Sequence, residues 1–160
     1  MKINIIGAGT WGIVVASYLS KNHNEITVYH RDSETSRQLI ENYEHPHLPG
    51  KSIPQNIKYS SNINSINSST LNILAVPTHE LYDSLREINI SNSKFLVLSK
   101  GYDKVTGFLP TQLLTDKLNA DINNIAVLSG PNHAEEIIED KSAATVISSI
   151  NDNFAKDLQT

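Results

Sequence analysis

Short apolar runs alternate with longer amphipathic stretches along most of the chain. Six runs have the length of a β-strand and occupy residues 3–6, 26–29, 71–76, 95–98, 125–128 and 144–150. The stretches between and after them predict helices at residues 11–21, 34–43, 79–88, 110–118, 134–139 and from Asn153 onward. Runs that are apolar throughout suit strands that are buried on both faces. The alternation therefore predicts an α/β fold with a doubly wound, mainly parallel sheet and helices on both of its faces.

The segment at residues 45–56 interrupts this alternation. Its sequence, HPHLPGKSIPQN, contains three prolines and one glycine, which predict an extended loop before a short strand at residues 57–59. The loop is too short to connect two domains, so residues 1–160 are expected to form a single domain. Since no strand follows the last predicted helix, this domain is expected to be incomplete at its C-terminal edge.

Composition and charge exclude several classes of protein. Hydrophobic residues make up 39% of the 160 residues and charged residues 19%, which fits a soluble globular domain. A net charge of −4 without a run of Lys or Arg argues against nucleic acid or an anionic membrane as a partner. The chain has no cysteine, and its first apolar run is too short for a secretion signal, so we expect a cytoplasmic protein.

Neither a metal site nor a nucleophile is expected. His45, His47, His79 and His133 do not have the spacing of metal ligands. The sequence also has no thiol and no GxSxG signature of a serine nucleophile. The acidic residues at 135–139 are interpreted as the solvated face of a helix.

A glycine-rich turn, GAGTWG, follows the first apolar run directly and leads into the first predicted helix. Gly7 allows the tight turn, Gly9 lets the backbone approach a pyrophosphate, and Gly12 lets the helix pack closely against the strand. The free N–H groups and the positive end of the helix dipole would then hold the diphosphate. The alternative is a strand–helix turn that binds no ligand. The position of the turn, in a strand–helix–strand unit at the start of the chain, favours a Rossmann-type dinucleotide-binding domain.

The end of the second strand bears on the choice of cofactor. NAD-selective domains carry Asp or Glu there to hold the adenosine ribose, whereas this chain has His30 followed by Arg31. A guanidinium suits the 2′-phosphate of NADPH, which a carboxylate would repel. NADPH is therefore the expected cofactor, with NADH as the second candidate. In the alternative interpretation, Arg31 is a solvated loop charge and Asp32 binds the ribose.

Three further segments follow apolar strands, at the edge of the sheet where open α/β folds bind ligands. They are VPTH at residues 76–79, SKG at 99–101 and SGPNHA at 129–134. In each segment a Gly or Pro ends the strand and leaves backbone groups free to meet a ligand, and Pro77 is expected to bind the cofactor. The ammonium of Lys100 can bind a phosphate or polarise a carbonyl, although alone it would be an ordinary exposed turn lysine. His79 is expected to cap the following helix rather than to act as an acid or base, since no neighbouring carboxylate in the sequence orients it.

Together, these motifs resemble the bacterial-type NAD(P)-dependent glycerol-3-phosphate dehydrogenases. The matching segments are GAGTWG at 7–12, LPGKSIPQNI at 48–57, VPTH at 76–79, SKG at 99–101 and SGPNHAEEI at 129–137. The tryptophan inside the glycine turn, combined with VPTH and KG, is specific for this family, whereas the glycines alone fit many dehydrogenases. The resemblance implies the cofactor half of an enzyme that reduces dihydroxyacetone phosphate to sn-glycerol 3-phosphate for glycerophospholipid synthesis.

The resemblance also implies roles for individual residues. The dinucleotide would be bound by Thr10, Trp11, His30, Arg31 and Ala134, in addition to the glycine turn. Lys100 would touch both cofactor and substrate, and it would stabilise the alkoxide that develops during reduction. Gly130 and Asn132 would help to hold dihydroxyacetone phosphate or glycerol 3-phosphate. Asn132 replaces the usual Ser or Thr of the family, but an amide can also form a hydrogen bond with the substrate.

Members of the family also carry a helical C-terminal domain, which these 160 residues lack. That domain supplies the principal general-acid lysine and the grip on the substrate phosphate, so this chain alone is expected to be inactive. A homodimer is expected for the full-length protein. Two alternatives remain open. One is a stand-alone nucleotide-binding or redox-sensing module, and the other is a Rossmann domain for ketopantoate or a hydroxyacid, against which VPTH and SKG argue.

Overall fold

The computed structural model describes residues 2–23, 25–65 and 71–159. Its strands are β1 (Ile3–Ile6), β2 (Ile26–Tyr29), β3 (Lys58–Ser60), β4 (Leu71–Leu74), β5 (Lys94–Val97), β6 (Ile125–Ser129) and β7 (Val146–Ser148). Its α-helices are α1 (Thr10–Leu19), α2 (Ser33–Asn42), α3 (Thr78–Leu85), α4 (Pro110–Gln112), α5 (Ala134–Ile137) and α6 (Asp152–Asp157). Short 3-10 segments lie at Ile63–Ser65 and Ile122–Asn124, and a π-helical segment at Leu113–Lys117 continues α4.

The strands form one sheet in the order β3-β2-β1-β4-β5-β6-β7. Neighbouring strands are parallel, except that β7 pairs antiparallel with β6 at the edge. The chain moves outward from β1 to β3 and then crosses back, so that β4 lies on the other side of β1. This reversal creates a crevice at the carboxyl ends of β1 and β4, where open α/β sheets bind ligands. The predicted doubly wound, mainly parallel α/β fold is confirmed.

The central strand β1 shows how the sequence specifies a sheet covered on both faces. All four of its residues are buried. Ile3 and Ile5 belong to the core cluster that contains α1, and Ile6 belongs to the cluster on the other face. The polar member, Asn4, donates a side-chain hydrogen bond of 3.0 Å to Asn72, its register partner on β4. A continuous buried run therefore accepts one polar residue because the neighbouring strand supplies its partner.

The predicted element bounds differ from the structure at a few ends. The strand predicted at residues 71–76 ends at Leu74, because Pro77 already serves as the N-cap of α3 and the chain must turn before it. The helix predicted at 110–118 is a single α-helical turn that continues in π-helical geometry. The run at 144–150 forms only a short strand at its centre. The last predicted helix is α6, and Thr160 lies outside the described residues.

Candidate functional site

The glycine turn connects β1 to α1 at the crevice, and its three glycines have different surroundings. Gly7 has a φ of +115°, and a Cβ there would lie 2.8 Å from the backbone carbonyl carbon of Ala75. A Cβ on Gly12 would lie 2.0 Å from the carbonyl oxygen of Gly7. Gly9 has nothing within 4 Å of its Cβ position among the described residues. The turn itself therefore requires Gly7 and Gly12, whereas the space beside Gly9 is open to a ligand.

Helix α1 begins directly after Gly9. Gly9 is the N-cap of α1 and offers no side chain to its first N–H groups. The first turn contains no acidic residue that would offset the positive end of the helix dipole. Free N–H groups beside an open backbone are suited to bind an anionic group such as a diphosphate.

A cavity of about 380 Å³ continues from the turn along the carboxyl edge of the sheet. Its wall is formed by residues 7–9 of the turn, residues 29–32 at the end of β2, residues 75–77 after β4, and two α3 side chains, Glu80 and Ser84. The cavity thus brings together five residues that the sequence assigned to the cofactor: Gly7, Gly9, His30, Arg31 and Pro77. Tyr29, Glu80 and Ser84 line the same cavity and were not predicted.

The residues after β2 are held by local hydrogen bonds. Nδ1 of His30 accepts a hydrogen bond of 3.1 Å from the backbone N–H of Asp32. Asp32 is the N-cap of α2, and its carboxylate accepts hydrogen bonds from the backbone N–H groups of Glu34 and Thr35. The Thr35 hydroxyl and these two N–H groups hold the pKa of Asp32 below its ordinary value. In the alternative interpretation of the sequence, Asp32 binds the ribose. Its carboxylate already caps a helix in the structure.

The side chain of Arg31 is 68% exposed, and its guanidinium lies 3.6 Å from the Glu80 carboxylate across the cavity. An acidic group from α3 therefore lies next to the guanidinium that is predicted to recognise a phosphate. Glu80 directly follows the VPTH segment, but no local pattern in the sequence indicates that it meets Arg31.

Two of the predicted segments, VPTH and SKG, are tied to each other by reciprocal hydrogen bonds. The Thr78 hydroxyl donates to the carbonyl oxygen of Lys100 at 2.7 Å, and the Ser99 hydroxyl donates to that of Val76 at 2.6 Å. Lys100 is exposed and lies outside the 380 Å³ cavity. The prediction that His79 caps α3 was wrong, because the N-cap is Pro77 and makes no side-chain capping bond.

The third predicted segment, SGPNHA, follows β6 and packs against the chain just before β7. Gly130 has a φ of +151°, and a Cβ there would lie 2.5 Å from the carbonyl oxygen of Ala144. The Oδ1 atom of Asn132 is buried and has no hydrogen-bond partner in the part of the chain that the structure describes. Ala134 starts α5, which packs against α1. Gly130, Asn132 and Ala134 lie outside the 380 Å³ cavity.

Trp11, Thr10 and Gly12 also lie outside that cavity, on α1. Trp11 instead borders a larger groove of about 690 Å³, which α1 forms with Leu96 of β5, with Leu98 just after β5 and with Leu128 of β6. The structure therefore places Trp11 next to the glycine turn but on the side of α1 that faces this apolar groove.

His45, which sequence reasoning considered only as a metal ligand, supports the glycine turn. Its imidazole is buried, and Nδ1 accepts a hydrogen bond of 3.2 Å from the backbone N–H of His47. Nε2 is consequently the protonated nitrogen, and it donates to the carbonyl oxygen of Ala8 at 3.2 Å. Burial lowers the pKa of His45. The only sequence signal for this contact is the loop at residues 45–56, which begins with His45, and nothing in that loop identifies Ala8 as a partner.

Two further observations concern metal binding and membrane crossing. No group of three or more His, Cys, Asp or Glu side chains is arranged to hold a metal ion in residues 2–23, 25–65 and 71–159. Among the helices of these same ranges, none combines the length and the apolar character that crossing a membrane requires.

Residues 2–155 match the sequence model of the family described as NAD-dependent glycerol-3-phosphate dehydrogenase N-terminus. Over 99% of its length, the chain is 31% identical to the glycerol-3-phosphate dehydrogenase (NAD(P)+) of Corynebacterium glutamicum strain R, and it covers 49% of that protein. It is 35% identical to the enzyme of the same name from Acholeplasma laidlawii, again over 99% of this chain and 49% of the relative. The crystal structure of glycerol-3-phosphate dehydrogenase from Coxiella burnetii shares the fold, with a TM-score of 0.86 and 22% identity over 98% of this chain and 49% of that one.

Proposed function

We propose that this chain, which belongs to the NAD-dependent glycerol-3-phosphate dehydrogenase N-terminal family, is the cofactor-binding half of an enzyme that reduces dihydroxyacetone phosphate to sn-glycerol 3-phosphate. The chain spans about half the length of the curated relatives it matches. The observation that carries the proposal is the glycine turn at the switch point of the sheet, where the position beside Gly9 is open and leads into a cavity.

The residues of the site fit a dinucleotide. The N–H groups at the start of α1 would bind the diphosphate, for which a side chain at position 9 would leave no room. The adenosine end would occupy the cavity between Tyr29 and Pro77, with Arg31 at its rim. The exposed guanidinium of Arg31 supports NADPH as the preferred cofactor and NADH as the second one.

The cofactor, when bound, supplies the hydride, and the residues of this chain would position and polarise the substrate. Lys100 follows β5 at the same edge of the sheet, and its backbone is fixed by Thr78. Its ammonium would attract the substrate phosphate and stabilise negative charge on the carbonyl oxygen. Asn132 would accept a hydrogen bond from a substrate hydroxyl. This assignment is supported by its Oδ1 atom, which has no partner among the described residues.

Binding can be tested with the chain's own fluorescence, because Trp11 is its single tryptophan and lies at the start of α1. NADPH added to the protein is expected to quench this emission in a saturable way, and calorimetry should give the same affinity. Dihydroxyacetone phosphate together with NADPH then distinguishes a dehydrogenase half from a nucleotide-binding module. When the chain is fused to the C-terminal half of a relative, an enzyme half should oxidise NADPH in the presence of this substrate, whereas a module should bind NADPH without oxidising it. An unchanged emission and no heat of binding with either dinucleotide would overturn the proposal.

A further inference from the structure

Glu80 faces Arg31 across the mouth of the cavity. The two residues come from different elements, since Glu80 lies in the first turn of α3 and Arg31 follows β2. Both line the cavity, and their charged groups are 3.6 Å apart. His79 also approaches Glu80, with 3.8 Å between Nε2 and a carboxylate oxygen. The Glu80 side chain is 33% exposed and lines the cavity together with Arg31.

We propose that Glu80 is a determinant of cofactor specificity. Because its negative charge counteracts the positive charge of Arg31, it makes the NADPH-to-NADH affinity ratio smaller. This inference rests on the proposed function, because it requires that the cavity binds the adenosine end of the cofactor. A 2′-phosphate bound by Arg31 has to replace or share the interaction of that guanidinium with Glu80. It also comes close to the negative charge of Glu80. The 2′-hydroxyl of NADH is uncharged, so it neither competes with Glu80 for Arg31 nor is repelled by Glu80. It can instead donate a hydrogen bond to a carboxylate.

The expected size of the effect follows from the charges. A 2′-phosphate that pairs with Arg31 lies roughly 6 Å from the Glu80 carboxylate if each ion pair keeps an ordinary length. Repulsion between these groups in a water-exposed cavity corresponds to about a three- to tenfold loss of NADPH affinity relative to NADH. Because both groups are partly exposed, added salt should weaken this repulsion. A purely structural role for Glu80 would not produce such a salt dependence.

The test compares two substitutions on the same helix. Glu80→Gln removes the charge that faces the cavity, and Asp83→Asn removes a charge that pairs with Arg86 at 3.5 Å outside the cavity. Calorimetry with NADPH and with NADH, at low and at high salt, gives the affinity ratio for each protein. Circular dichroism verifies that both variants fold.

Glu80→Gln is expected to raise the NADPH-to-NADH affinity ratio about three- to tenfold at low salt and less at high salt, whereas Asp83→Asn should leave the ratio within about twofold. An unchanged ratio in Glu80→Gln, or an equal change in both variants, would overturn the inference while the binding itself still supports the proposed function. If the parent chain binds neither dinucleotide, the proposed function fails and the inference fails with it.

Discussion

The hydroxyl of Thr78 donates a 2.7 Å hydrogen bond to the carbonyl oxygen of Lys100, 22 residues away. The hydroxyl of Ser99 returns the contact by donating to the carbonyl oxygen of Val76. The loops after β4 and β5 are therefore joined by the hydroxyl residues of both segments. The position of the Lys100 backbone depends on Thr78, which is itself buried.

Thr78→Val should destabilise the domain. The substitution keeps the shape of the side chain but leaves the Lys100 carbonyl without its donor, which typically costs about 1–3 kcal/mol of unfolding free energy. Urea denaturation monitored by circular dichroism measures this difference. Thr145→Val, at an exposed position, is the matched control and should change the unfolding free energy by less than about 0.5 kcal/mol. Equal stability of Thr78→Val and the parent would show that the hydrogen bond does not hold the loop.

The glycines of the turn should respond differently to alanine. Gly9→Ala should fold with nearly parental stability, because its Cβ meets nothing among the described residues and its φ of −70° suits any residue. It should nevertheless bind NADPH at least about tenfold more weakly, since the methyl group enters the space proposed for the diphosphate. Gly12→Ala should lose several kcal/mol of stability, because its Cβ would overlap the Gly7 carbonyl oxygen. Thermal melts and calorimetry give both quantities, and undiminished binding by Gly9→Ala would place the diphosphate elsewhere.

Arg31→Ala should remove most of the preference for NADPH. The expected mechanism is loss of the exposed guanidinium at the rim of the cavity, so NADPH affinity should fall about tenfold or more while NADH affinity changes little. Arg37→Ala provides the control, because Arg37 is also exposed but pairs with Glu34 and Glu41 on α2, outside the cavity. A parent chain that binds NADH as tightly as NADPH would contradict recognition of the 2′-phosphate by Arg31.

Stability should fall in mildly acidic solution because of His45. Its folded-state pKa is lowered from the ordinary value of 6.5, mainly by burial, so the unfolded state takes up a proton more readily than the folded state. The contribution of uncharged His45 to the stability of the fold is therefore complete above pH 6.5. It is lost as the pH falls toward the folded-state pKa. His45→Gln can still donate to Ala8 but does not titrate, so it should flatten this part of the curve. Denaturation at a series of pH values measures the effect, and a His45→Gln curve as steep as the parental one would contradict this role of His45.

The sequence predicted the local features of this fold well, since the spacing of apolar residues and the glycine turn are properties of neighbouring residues. It predicted β1, the turn and α1 because each depends on a few consecutive side chains. It did not predict contacts between distant segments. His45 reaches Ala8 from 37 residues away, and Glu80 meets Arg31 across the sheet edge only after β4 has been laid beside β1. Apolar periodicity identifies which elements form, but it carries no information about which exposed side chains face each other.

This chain alone should bind NADPH yet reduce dihydroxyacetone phosphate negligibly. Lys100 is exposed, so its field is screened by water, and a ketone also needs a fixed position and a proton donor, whose contribution is typically about 10² to 10⁴ in rate. The curated relatives are about twice as long, and we expect their remaining half to supply these groups. NADPH absorbance should therefore stay constant with this chain and decrease when it is fused to the C-terminal half of a relative. Turnover by the 160 residues within tenfold of an ordinary enzyme rate, about 10 s⁻¹, would show that the catalytic groups lie in this domain.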